Sequence, residues 1–320
     1  MKKLPSLALV IPSFNRAHLI VETLKCALEQ DTLFDEIIVV DDGSTDNTLA
    51  ILETYSDQIR IIPTTNHGVQ AARNTGVQAS QCAYICLCDS DDLLERNYVT
   101  TVRTWLSSKC PQDILYCNFR TFSETVTQED KFSQAPDGFF QAGTRTDSFI
   151  YNIPKLYRQV VTFQPLFSSG VVIKKDFYQR IGGYSTAFRG TPAEDFEFVL
   201  RTIDLGNITV CTDPIVRIRK HPGNDSRDTM KQCMGEASIL EYALLHHQSA
   251  EYEQDLIRAS IDRRRIDAFN MAFSRREHQL ALELLASIQK RPDDLKFIIK
   301  KKILQLPVFA RELALSIVLR

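Results

Sequence analysis

The chain of 320 residues is 44% hydrophobic and 24% charged, the balance of a folded globular protein with room for a large domain and an appendage. Its formal net charge of −2 excludes the marked basic excess of a nucleic-acid-binding domain, so no nucleic-acid partner is expected. Eight cysteines without a CxxC pair, and no HExxH run, argue against a disulfide framework and against a structural zinc or zincin site.

Lys2 and Lys3 precede an apolar stretch, residues 7–11, that is too short for a signal peptide and is ended by Pro12. LALVI (7–11), IIVV (37–40), IRII (59–62), YICLC (84–88) and DILYC (113–117) read as buried strands. Residues 17–29, 46–55, 68–79 and 95–108, lying between them, have helical length and spacing. This βαβ rhythm predicts an α/β fold built on a mostly parallel, doubly wound sheet with helices on its faces. Residues 120–165 lose the rhythm and are expected to be a loop and a partly ordered insertion that covers substrate. A strand over 168–173, helices near 174–181 and from Pro192 to Leu205, and strands near 208–219 complete the core. From about residue 227 the pattern is helical, broken at Pro292 and Pro307, so the expected domains are 1–225 and 226–320. No window reaches the roughly 18 to 20 apolar residues of a spanning helix, and the expected location is cytoplasmic.

In an open parallel sheet ligands bind beyond the carboxyl ends of the strands. Those ends carry Ser13-Phe14-Asn15-Arg16, then Asp41-Asp42-Gly43-Ser44, then Asp89-Ser90-Asp91-Asp92, so three polar clusters are expected on one edge. If the last of these is extended, Asp89 and Asp91 project to the same side. Two carboxylates about 4 Å apart repel by roughly 4 kcal/mol at an effective dielectric of about 20, and a divalent cation relieves that. Oxygen-rich ligation suits Mg²⁺ or Mn²⁺, with substrate phosphates completing the shell. Asp92 is either part of this site or the cap of the helix expected from residue 95. Gly43 permits a tight turn, and Ser44, Thr45 or Asp46 can cap the next helix, but Asp41 and Asp42 exceed what a cap requires. Asp41 is the better candidate to accept hydrogen bonds from a nucleobase or ribose. No GxG, GxxxxGK[ST] or GxSxG occurs, so phosphates are held by metal and side chains rather than by a glycine loop.

VIPSFNR (10–16), EIIVVDDGSTDNT (36–48), NHGVQAARNTGVQAS (66–80), CDSDD (88–92), and GGY with EDFEFVLR (182–201), in this order, resemble glycosyltransferase family 2 over about residues 5–225. The resemblance implies a GT-A fold, a nucleotide-diphospho-sugar donor, a divalent metal (Mn²⁺ or Mg²⁺) and inversion at the anomeric carbon. It implies that Pro12, Asn15 and Arg16 line the nucleotide pocket, that Asp41 contacts the base and Arg73 sits near the nucleotide. Asp89 and Asp91 match the DXD pair, with both as metal ligands and Asp89 also on the donor. Asp195 matches the catalytic base, and His221, with the downstream Ser226, matches the loop that closes on the diphosphate. Thr191, Pro192 and Glu194 read as a helix cap, first turn and capping box, which leaves Asp195 free of that duty.

The expected activity is transfer of a sugar, from UDP above other nucleotides, to a hydroxyl of a surface glycan or lipid-linked acceptor, an EC 2.4 reaction. A catalytically silent nucleotide-sugar binding or scaffold protein is the alternative. Residues 290–320 hold eight Lys+Arg and three Asp+Glu among apolar positions, which is either a peripheral membrane surface or a helix packed on the core.

Overall fold

The computed structural model describes residues 4–108, 112–221, 228–307 and 310–311. The chain divides into two compact units, one of residues 1–190 and 195–222, the other of 191–194 and 223–320. The boundary expected near 225 lies outside the described residues.

The first unit begins with three βα pairs: β1 (Leu7–Ser13) and α1 (Ile20–Leu28), β2 (Glu36–Asp41) and α2 (Thr48–Glu53), β3 (Arg60–Pro63) and α3 (Val69–Ala79). β4 (Tyr84–Leu87) follows, then a two-residue β5 (Leu93–Leu94), α4 (Tyr98–Leu106) and the long β6 (Ile114–Phe122). Short strands β7 (Thr127–Asp130), β8 (Thr144–Thr146) and β9 (Phe149–Tyr151) and helix α5 (Leu156–Thr162) occupy the segment read as loop and insertion. β10 (Val171–Lys174), α6 (Lys175–Arg180), α7 (Glu194–Leu205) and β11 (Ile208–Arg219) finish the unit.

These strands form one sheet in the order β3-β2-β1-β4-β10-β6-β11-β9-β8, with β5 added to β11 and β7 to β6. β1, β2, β3 and β4 are mutually parallel, as the βα alternation requires. β10 runs antiparallel to both β4 and β6, and β11 is parallel to β6. The carboxyl ends of β1, β2, β4, β6 and β11 therefore point to the same edge. The fold is a mixed, mostly parallel sheet flanked by helices, as expected.

Burial explains the cohesion of this unit. Leu7, Leu9 and Ile11 of β1 pack with Ile20 and Leu24 of α1, Leu52 of α2 and Val99, Val102 and Trp105 of α4 in one apolar cluster. On the other face of β1, α3 lies so close that a Cβ on Gly76 would stand 2.3 Å from Cγ1 of Val10. Pro12 is tolerated in this central strand for a reason of parity. Val10 bonds toward β4, where Cys88 N–H donates to its carbonyl, and Pro12 faces the same way. The β4 ladder ends at Val10 opposite Leu87, so the N–H that proline lacks has no ladder partner to lose.

The second unit is helical among its described residues: α8 (Thr229–His246), α9 (Gln248–Glu251), α10 (Gln254–Ser274), α11 (His278–Ser287) and α12 (Leu295–Leu304). Ala268, Phe269, Ala272 and Phe273 of α10, Leu284 and Leu285 of α11, and Phe297 of α12 form its buried core. No helix among the described residues is long and apolar enough to cross a membrane.

Candidate active site

Four segments meet at the carboxyl edge of the sheet: 13–16 after β1, 41–46 after β2, 89–92 after β4 and 219–221 at the end of β11. Asp41 and Asn15 join through Ser44. The Ser44 hydroxyl donates to Asp41 Oδ1 at 2.5 Å and accepts from the Asn15 N–H at 2.9 Å. Asn15, in the left-handed region at φ 52°, turns its Oδ1 to the N–H groups of Thr45 (2.8 Å) and Asp46 (3.3 Å). Asp46 in turn accepts the Thr48 N–H at 2.9 Å and so serves the start of α2. Asp42 is committed to the backbone, accepting N–H groups of His67 (2.9 Å) and Gly68 (2.7 Å) ahead of α3.

The acidic run is not extended. Residues 90 and 91 form a turn closed by the Asp92 N–H on the Asp89 carbonyl at 3.1 Å, so the i, i+2 alternation expected for Asp89 and Asp91 does not apply. Each carboxylate instead has its own partners. Asp89 accepts Nη2 of Arg73 at 2.6 Å, and its N–H is fixed on the Ser169 hydroxyl at 3.0 Å. The Arg73 guanidinium stands 4.8 Å over the ring of Tyr184, which stacks at 3.9 Å on Phe198. Asp91 Oδ2 lies 2.9 Å from His221 Nε2 and 3.6 Å from Arg16 Nε. Internal cations thus offset the repulsion that sequence reasoning assigned to a metal.

Asp92 does not cap a helix. α4 begins only at Tyr98, because Leu93 and Leu94 pair with Arg217 and Val216 of β11 and Glu95 N–H bonds the Ile215 carbonyl. Asp92 is buried and accepts the Arg219 N–H at 2.8 Å. Burial, and then the like charges of Asp91 and Asp89, push its carboxyl well above the usual range.

α7 also starts later than expected. Ala193 stands in the left-handed region at φ 63°, which no helix tolerates, so the helix begins at Glu194 and the box of Thr191 and Glu194 has no first turn to close. Asp195 is then the second helical residue and half-buried. The hydroxyl of Tyr116 is pushed upward by burial first, while the charge of Asp195 adds to the shift, which makes the two electrostatic neighbours. Through Val172 of β10, Leu115 of β6 and Cys86 of β4 are level, which puts Tyr116 at the height of Leu87, two residues short of Asp89.

Arg219 donates Nε to the Asp91 carbonyl at 2.9 Å and Nη2 to Glu22 at 2.5 Å, and so ties β11 and α1 to the acidic turn. Lys131 holds its ammonium 4.5 Å over the Phe163 ring, and burial followed by the nearby Lys220 lowers its pKa. Ser226 lies outside the described residues.

Among the described residues no group of three or more His, Cys, Asp or Glu side chains is arranged to hold a metal. The fit is that of a partial site. Asp91 offers a carboxylate, the donor type of Mn²⁺ or Mg²⁺, and His221 an imidazole at the same point, so phosphate oxygens and water would have to complete the shell of either cation.

Residues 8–163 match the model of glycosyl transferase family 2. Over these residues the chain is similar to that family. The chain is 31% identical over 123 residues to glycosyltransferase GlyG of Streptococcus pneumoniae serotype 4, a match spanning 37% of this chain and 40% of that protein. The chain spans about half or less of the curated relatives it matches, 15%, 40% and 51% of three of them. In fold it is similar to S. aureus TarS 1–349 in complex with UDP-GlcNAc, with a TM-score of 0.61 at 17% identity, covering 97% of this chain and 88% of that one. It is likewise similar to the mannosyltransferase PcManGT of Pyrobaculum calidifontis in complex with GDP-Man and Mn²⁺, with a TM-score of 0.58 at 16% identity over 98% and 84% of the two chains. The fold of this chain is of the GT-A type.

Proposed function

We propose that the chain is an inverting glycosyltransferase that moves one sugar from a nucleotide-diphospho-sugar, UDP-linked, to a hydroxyl of a surface glycan or lipid-linked acceptor. The observation that carries this reading is the convergence of Arg16 and His221 on Asp91 at the carboxyl edge of the sheet, beside the Arg73–Asp89 pair. A nucleoside diphosphate needs that mixture, cations for its phosphates and carboxylates for a metal and a sugar or ribose hydroxyl. The ligands named for TarS and PcManGT, UDP-GlcNAc and GDP-Man with Mn²⁺, belong to the same chemical class.

In this reading Pro12 and the 41–46 turn, held in shape by Asn15 and Asp41, receive the base and ribose. Arg73 presents Asp89 to the donor. Asp91 and His221 would hold a divalent cation, which supplies Lewis-acid stabilisation of the diphosphate leaving group. Arg16 adds a second positive charge at the same phosphates.

Asp195 takes the part of the base. A carboxylate in the first turn of a helix is favoured in its ionised form, so it is ready to accept a proton but is a weak base. It orients the acceptor hydroxyl and takes the proton late, as the oxygen bonds to the anomeric carbon and the bond to the diphosphate breaks with its electron pair leaving on the nucleoside diphosphate. A single displacement of this kind inverts the anomeric centre.

The test is release of nucleoside diphosphate from UDP-sugars with Mn²⁺ and a panel of glycan and lipid-linked acceptors. Asp195→Asn is expected to lower release by roughly a hundredfold or more while donor affinity is retained. Donor binding without release under any acceptor, in the native chain, would instead identify a silent nucleotide-sugar binding protein.

A further inference from the structure

Helix α12 uses only one of its two apolar faces. Phe297, Ile303 and Leu304 are buried in the core of the second unit. Lys300 is drawn to the same side, with Nζ on Asn270 Oδ1 at 2.7 Å and 5.5 Å over the Phe273 ring. Leu295, Ile298 and Ile299 point the other way, 70%, 37% and 37% exposed, and Leu306 just beyond the helix is 37% exposed. Positions 295, 298, 299 and 302 fall at i, i+3, i+4 and i+7, one continuous stripe, and its fourth member is the exposed Lys302.

The charge on the helix itself has one sign. α12 contains Lys296, Lys300, Lys301 and Lys302 and no Asp or Glu. Asp294, the nearest acid, caps the helix through the Phe297 N–H at 3.0 Å. Among the described residues Lys296, Lys301 and Lys302 make no ion pair. A surface that exposes three large aliphatic side chains between uncompensated lysines matches an anionic lipid leaflet: the aliphatic tips enter the acyl boundary and the lysine stems lie along it with their ammonium groups at the phosphates. At roughly 15 Å for ten residues the stripe is too short to cross a membrane, so the contact is interfacial.

We propose that the outward face of α12 is a docking surface for anionic phospholipid membrane, with Leu295, Ile298 and Ile299 as the inserting residues and Lys296, Lys301 and Lys302 as the charge contacts. The inference does not depend on the catalytic reading.

The experiment is flotation of the full chain with vesicles of phosphatidylcholine alone and of phosphatidylcholine doped with phosphatidylglycerol. The chain is expected to float with the anionic vesicles only, and to be released by high salt. Lys301→Gln with Lys302→Gln should weaken partitioning about 25-fold, about fivefold for each lysine. Ile298→Ser with Ile299→Ser should abolish flotation while leaving the helical circular dichroism and the melting temperature as in the parent, since neither side chain belongs to the buried core. Failure of the parent chain to float with anionic vesicles, or equal flotation of both variants, overturns the proposal. So does a dimer in light scattering that dissociates on Ile298→Ser with Ile299→Ser, because the stripe would then be covered by a second copy of the chain.

Discussion

Arg73 on α3 and Asp89 after β4 form an ion pair of 2.6 Å in which the arginine side chain is 4% exposed and the carboxylate 24% exposed. A guanidinium so deeply placed is held by its anion and by the face of Tyr184, and removing the anion takes a close counter-charge from a buried cation. Arg73→Ala and Asp89→Ala are each expected to destabilise the first unit by about 3 kcal/mol. The double variant should lose less than the sum by at least about 1 kcal/mol. Trp105, the single tryptophan and buried in this unit, reports the transition in urea by fluorescence. A coupling near zero would show that the pair contributes no mutual stabilisation.

Asp91 and His221 share one point, and their proposed service is to a metal-bound diphosphate. Asp91→Asn and His221→Ala are expected to lower UDP affinity measured with Mn²⁺ by at least about tenfold, and to leave the much weaker affinity in EDTA almost unchanged. Calorimetric titration of UDP in both media separates the cases. Equal losses with and without Mn²⁺ would point to direct phosphate contact instead.

Glycines in left-handed backbone offer a paired test of packing. Gly170, at φ +81°, sits where a Cβ would stand 2.3 Å from Cγ2 of Val216, with its N–H on the Leu87 carbonyl and its carbonyl on the Tyr98 hydroxyl. Gly182, at φ +84°, has nothing within 4 Å of the same position. Gly182→Ala should cost about 1 kcal/mol, the backbone penalty alone. Gly170→Ala should cost about 3 kcal/mol or more, because overpacking adds to it. Similar urea midpoints for the two variants would refute the packing argument.

The buried thiols are expected to be inert. Burial pushes Cys86 up to about 12 despite its contact with the Tyr98 hydroxyl, and does the same for Cys211. Burial raises Cys88 and Cys117 well above the usual range. Cys26 and Cys233 are only partly buried. Iodoacetamide at neutral pH should therefore modify Cys26 and Cys233 at least about a hundredfold faster than Cys86 and Cys211 in the native chain, since the thiolate is the reactive form. Peptide mapping by mass spectrometry reads the rates, and comparable labelling of Cys86 would contradict the burial argument.

What the sequence determines by itself is local. Apolar runs at 7–11, 37–40, 59–62 and 84–88 specify four parallel strands, because period and length are properties of the segment. The polar residues after β1, β2 and β4 then fall on one edge through chain direction alone. The order of the strings that resemble glycosyltransferase family 2 is legible for the same reason. Partners are a different matter, since they are set by residues distant in the chain. That Asp89 faces Arg73 while Asp91 faces His221 depends on a turn at residues 90 and 91 and on β11 arriving from 130 residues away. The late start of α4 follows from Leu93 and Leu94 pairing with β11, and that pairing spends as strand the residues whose local pattern reads as helix start. Asp92, read as a cap or a site residue, caps no helix and accepts the Arg219 N–H, an acceptor that only the folded chain brings to the end of β11.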